Sequence, residues 1–215
     1  GLLMMLFVSG FTSAWPPFYH KNNQNGEGQS ICNNVLIIYL MVTIPFVVIL
    51  SYLGPVALKI LTPISFHASA TIIPWVALAY MLKGPYIIFL MGLMMKNKTK
   101  WQLYIEIFAA LINIILNYIL IPVIGREAAA LTTLFSYLIM VILAYIMVMK
   151  INPIKNINII KPTSFFMMTL LVSIISLSIA NNLSLIFFGL FFAICSTVII
   201  FILCRENIVN LIRNS

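Results

Sequence analysis

The sequence predicts an all-α fold, a polytopic transmembrane helix bundle of about seven spans. Three observations carry that prediction. Hydrophobic residues make up 63% of the 215-residue chain and charged residues 7%, with a mean hydropathy of +1.12. The apolar residues fall into long runs with short polar connections between them. The cations concentrate in every second connection.

A soluble domain carries roughly 25% charged residues. Here 12 Lys+Arg and 4 Asp+Glu could not coat a water-facing surface, whereas a lipid-facing surface needs no such coat. The formal charge of +8 would suggest nucleic acid in a soluble protein. No Lys/Arg cluster is interleaved with exposed aromatics, so a nucleic-acid partner is rejected and the charge is read as membrane orientation. Cys32, Cys195 and Cys204 form no CxxC and no ligand cluster with His20 or His67, so neither a metal site nor a disulfide framework is expected. The chain opens at Gly1 inside an apolar run, with no basic segment and no cleavage site. A signal peptide is excluded, and an N-terminally truncated protein is expected.

A spanning helix needs about 20 mostly apolar residues. Run A covers 1–19 and ends at Trp15-Pro16-Pro17-Phe18. Run B covers 34–53 with Pro45 inside, run C 70–95 around Lys83-Gly84-Pro85, run D 102–122, run E 127–149, run F 163–180 and run G 183–204. Such lengths suit helices and not the roughly ten-residue alternation of barrel strands. The longest connection, Gly54 to Ser69, carries Pro55, Lys59, Pro63 and His67 among apolar residues and reads as re-entrant or interfacial.

Orientation follows from the connections. Lys21, Lys96, Lys98, Lys100, Lys150, Lys155, Lys161, Arg205 and Arg213 fall on one side, against Lys59 and Arg126 on the other. The richer side, with the C-terminus, is cytoplasmic. Lys83 is the remaining cation and lies within a span.

Ionisable residues inside a span are expensive and default to a functional hypothesis. Lys83 precedes Gly84-Pro85, where a lost backbone donor predicts a helix break or kink at mid-membrane depth. Pro16 marks a second expected break. Lys83 reads either as a cation facing a central cavity or as a snorkelling or paired lysine. Glu106, Asn113 and Asn117 fall within about 40° of one another at helical periodicity, giving run D one polar face. The asparagines serve either a substrate path or interhelical hydrogen bonds, and Glu106 either lines that path or reaches the headgroups. Ala128, Thr132 and Ser136 at i, i+4, i+8 predict close helix contact, with Pro122 and Gly125 bracketing a tight turn between runs D and E. Trp15, Tyr19, Trp75, Trp101 and Tyr104 near run ends suit an interfacial belt; Trp75 and Tyr80 could instead stack on a sugar. No P-loop, G-x-S-x-G, H-E-x-x-H or usefully spaced carboxylate pair occurs, so the chain is expected not to be an enzyme and to use no cofactor.

The stretch Lys98-Thr99-Lys100, Asn113-Ile-Ile-Leu-Asn117-Tyr-Ile-Leu-Ile-Pro122-Val-Ile-Gly125-Arg-Glu-Ala128-Ala-Ala-Leu-Thr132-Thr resembles bacterial polysaccharide transporters. These are the O-antigen and capsule flippases of the multidrug/oligosaccharidyl-lipid/polysaccharide exporter superfamily. Ala-Trp15-Pro-Pro-Phe18 is similar to a second segment of that family. The sequence departs from the pattern at Glu127-Ala128, where the family favours Gly-Ala, and at Thr132-Thr133. The resemblance implies that 1–150 is the C-terminal lobe of a MATE-like two-lobe transporter, incomplete at its N-terminus. It implies that 151–215 adds two transmembrane helices and a short cytoplasmic tail.

The implied function is translocation of an undecaprenyl-diphosphate-linked oligosaccharide, an O-antigen or capsule repeat unit, across the bacterial inner membrane by alternating access. Lys83, Glu106, Asn113, Asn117, Trp75 and Tyr80 are the candidate substrate-binding residues. Implied partners are the lipid-linked oligosaccharide, membrane lipid, a polysaccharide polymerase and a chain-length regulator, with proton or sodium as coupling ion. The alternatives are a multidrug or metabolite antiporter of the same superfamily, and a membrane-embedded glycosyl polymerase.

Overall fold

The computed structural model describes residues 2–24, 28–154, 157 and 160–179. Run G, Lys155, Cys195, Cys204, Arg205 and Arg213 lie outside them. Among the described residues the chain is helical: α1 (Leu2–Gln24), α2 (Gly28–Leu61), α3 (Ile64–His67), a 3₁₀ turn (Ala68–Ile72), α4 (Ile73–Met94), α5 (Lys100–Ile124), α6 (Arg126–Ile151) and α7 (Ile160–Ile179). Runs A to F thus each appear as a helix. Among the described residues, four stretches are long and apolar enough to cross a membrane: Ile31–Leu61, Ile64–Met94, Lys100–Ile124 and Arg126–Ile151.

The central helix is α4, which packs against α1, α2, α6 and α7. Within the most apolar window of its span 78% is buried inside the chain, against 6% for α5, which packs mainly on α6 at the edge of the bundle. α4 is apolar all round, as a helix enclosed by other helices can be.

The C-terminus of α4 shows how backbone polar groups are satisfied there. The last carbonyls of a helix lack intrahelical donors. Met91 O accepts from Met95 N at 3.1 Å, Leu93 O from Lys98 N at 3.1 Å and Met94 O from Asn97 N at 2.9 Å. Asn97 takes φ 55°, so this is a Schellman closure with asparagine in the left-handed position. The remaining carbonyl, Gly92 O, accepts from Asn152 Nδ2 of the segment just after α6 at 3.0 Å.

The expected turn between runs D and E is a single residue, Gly125, at φ 66° and ψ −146°. Its amide donates to Ile121 O at 2.9 Å, and its carbonyl accepts from Ala128 N at 3.1 Å. Ala128, Thr132 and Ser136 are all buried, as are Ala144 and Val148 further along α6. The i, i+4 spacing of small residues therefore marks the packed face of α6.

Three expectations change. The segments at Pro16 and at Gly84-Pro85 are not breaks: α1 runs through Pro16 and Pro17, and α4 through Pro85. Proline φ is itself helical, and the hydrogen bond that Pro85 withholds is replaced from another helix. The stretch 54–69 is not one re-entrant unit, because α2 continues through Pro55 to Leu61 before α3 and the 3₁₀ turn follow. With 34 residues, α2 spans about 51 Å, well beyond a hydrocarbon core of about 30 Å. Trp15 and Tyr19 are not belt residues. They are 2% and 1% exposed: Trp15 stacks on Phe11 and packs at a tilt against Phe18 and against Tyr19. Trp101 and Tyr104, edge to face at 5.9 Å at the start of α5, keep the position expected of a belt.

Candidate functional site

A cavity of about 210 Å³ opens where α4, α5 and α6 meet. α4 lines it with Leu82, Lys83, Tyr86 and Ile87, one face at i, i+1, i+4, i+5. α5 contributes Glu106, and α6 contributes Tyr137 and Met140. Along α4 the neighbours Leu82, Gly84, Pro85 and Tyr86 are all buried, and Lys83 alone among them is exposed. Lys83 is thus the exposed residue of this stretch and lines the cavity.

Glu106 is held from two sides. Tyr86 Oη donates to its Oε1 at 2.9 Å across the α4–α5 junction, and Gln102 Nε2 donates to the same oxygen at 3.1 Å from one turn earlier on α5. The cavity thus presents one cation, one oriented carboxylate and two phenols within apolar walls. It can attract an anionic group to Lys83, and Glu106 can exchange a proton or meet a small cation. At 210 Å³ it is below the roughly 300–1,000 Å³ of sites that enclose a whole small molecule.

Of the six residues expected to bind substrate, the structure brings Lys83 and Glu106 together. Tyr80 sits one turn before Lys83, and its ring meets Tyr137 edge to face at 6.3 Å, so it supports the wall of the cavity without lining it. Trp75 lies eight residues before Lys83, about 12 Å along α4, half-buried against the core. Asn113 and Asn117 lie about 10 and 16 Å beyond Glu106 along α5. Asn117 Nδ2 donates to Asn113 Oδ1 at 2.9 Å, and Thr132 Oγ1 of α6 donates to Asn117 Oδ1 at 2.8 Å. The asparagines therefore tie the α5–α6 hairpin, the interhelical role that was the other reading of this face.

Tyr86, Gln102 and Tyr137 were not anticipated. Two of them carried a signal: Tyr86 is i+3 from Lys83, and Gln102 is i−4 from Glu106, both spacings that share a helix face. Tyr137 carried none, because its place in the cavity depends on how α6 lies against α4. Among the described residues no group of three His, Cys, Asp or Glu side chains could hold a metal ion.

In comparisons with known proteins the chain matches no family model, no curated protein and no solved structure.

Proposed function

We propose that this chain forms part of a flippase that moves an undecaprenyl-diphosphate-linked oligosaccharide across the bacterial inner membrane. The observation that carries the reading is the cavity shared by Lys83 and Glu106 at the α4–α5–α6 junction. Charges within apolar helices are costly unless they face a polar space and serve a task. The ammonium of Lys83 meets the anionic diphosphate, the sugar follows a polar path, and the lipid tail stays in the bilayer. Glu106, oriented by Tyr86 and Gln102, takes the coupling proton or cation.

In this reading the chain supplies one lobe of an alternating-access pair, with the two additional helices of 151–215 beside it. The resemblance around Lys98–Thr133 supports the assignment. So does the outer face of α5, where Leu103, Ile107, Leu111, Ile114 and Tyr118 are exposed and suit lipid or a second lobe.

The test is export of surface polysaccharide by cells that depend on this transporter. Lys83→Ala and Glu106→Gln, at normal protein levels, should each impair export. Wild-type export in both variants removes the cavity as the substrate site and the reading with it.

A further inference from the structure

Pro85 lies well inside α4, yet the helix continues through it. A proline has no amide hydrogen, so the carbonyl four residues earlier, Met81 O, loses its helical donor. Inside a membrane no bulk water replaces that donor, and an orphaned carbonyl is costly.

Tyr39 of α2 makes good the loss. Its Oη donates to Met81 O at 3.0 Å, across 42 residues of sequence. Tyr39 and Met81 are 4% and 0% exposed, so the bond is shielded from solvent. The tyrosine ring lies directly over Gly84, where any Cβ would overlap it. The ring also packs at a tilt against Phe11 of α1, with centroids 4.5 Å apart. Proline, glycine and tyrosine thus form one unit: the proline frees the carbonyl, the glycine leaves room for the ring, and the hydroxyl closes the gap. Lys83 lies between Met81 and Pro85, at the centre of this unit.

We propose that Tyr39 is a positioning residue for Lys83, supplying the hydrogen bond that Pro85 withholds and so holding α4 as one continuous helix where Lys83 enters the cavity. Releasing Tyr39 lets α4 bend at Lys83-Gly84-Pro85 and shifts the ammonium relative to Glu106. The consequence for substrate rests on the function proposed above; the consequence for the backbone does not.

Amide hydrogen exchange of α4 peptides, with the full chain in lipid nanodiscs, reads the backbone directly. Tyr39→Phe keeps the ring and removes the donor. It should raise exchange around residues 81–88 by about three- to twentyfold, the range between an average and a strong interhelical hydrogen bond in a membrane protein. Pro85→Ala restores an amide donor to Met81 O. In that background Tyr39→Phe should change exchange by less than about twofold. Gly84→Ala, which displaces the ring without altering the hydroxyl, should reproduce the Tyr39→Phe increase. Rescue extends to function: export lost in Tyr39→Phe should return in Tyr39→Phe/Pro85→Ala.

Unchanged exchange in Tyr39→Phe, or an equal increase with alanine in place of the proline, overturns the proposal. If Tyr39→Phe does not fold, folding of the double variant supports it and failure of the double variant overturns it. Normal export in both Lys83→Ala and Glu106→Gln, with the exchange results as expected, would sink the functional reading and leave the backbone role of Tyr39 standing.

Discussion

Replacing Gly92 with alanine tests a close approach between the two helices that pack most extensively, α4 and α6. Gly92 lies near the end of α4, and a Cβ there would overlap Cγ2 of Val148 on α6, a side chain 0% exposed. Non-bonded carbons prefer about 3.5–4.0 Å. Val148 cannot swing aside cheaply, because a valine in a helix holds one χ1 rotamer about 90% of the time. Either the helices part or Val148 is strained, an overpacking cost of about 1–3 kcal/mol. Alanine recovers about 0.8–1.0 kcal/mol of helix propensity over glycine, which leaves a net loss of about 0–2 kcal/mol. Parting the helices also stretches the 3.0 Å bond from Asn152 to Gly92 O, which pushes the loss toward the upper end. Val148→Ala is destabilising alone but opens the space that the added methyl group of Gly92→Ala needs. The double variant should therefore be more stable than the sum of the single losses predicts, by about 0.5–3 kcal/mol. Equilibrium unfolding in a fixed detergent, with all four members of the cycle measured together, gives that coupling. Losses that add to within about 0.5 kcal/mol would refute the packing argument.

Thr132→Val keeps the shape of the side chain and removes the hydroxyl that donates to Asn117; stability should fall by about 0.6 kcal/mol and by no more than about 1.7 kcal/mol in the same unfolding assay. Gly125→Ala meets no atom within 4 Å, so its effect isolates the backbone: holding alanine at φ 66° should cost about 1–3 kcal/mol of stability, and an unchanged midpoint would contradict the single-residue turn. Reporter fusions after Lys100 and after Arg126 should land in opposite compartments, with Lys100 on the cytoplasmic side; the same compartment for both would remove α5 as a span.

Several features of this fold were readable from residue order because each is local. The small residues Ala128, Thr132 and Ser136 announced the buried face of α6, and Gly125 announced the turn before it. Glu106, Asn113 and Asn117 were placed on one face of α5 by periodicity alone. Their fates then diverged, because α4 approaches α5 near Glu106 and brings Tyr86 to it, whereas the asparagines face Thr132 of α6. Trp15 and Tyr19 were misjudged for the same reason: an aromatic near the end of an apolar run has the same local signature at a headgroup belt and against Phe11 in a core. Pro16 and Pro85 read as breaks because a sequence displays the missing donor and not its replacement.

By itself the sequence determined that the described residues are helical, that several of the helices are apolar enough for a membrane, and that Gly125 turns the chain between α5 and α6. Those properties depend on composition and on periods of a few residues, which each segment carries with it. Only the tertiary structure decided that Lys83 and Glu106 share one cavity, that Tyr86 orients the carboxylate, and that Tyr39 closes the gap left by Pro85. Each of these joins residues on different helices. Their meeting is set by how apolar surfaces pack in three dimensions, and nothing in the local pattern of any one helix specifies its partner.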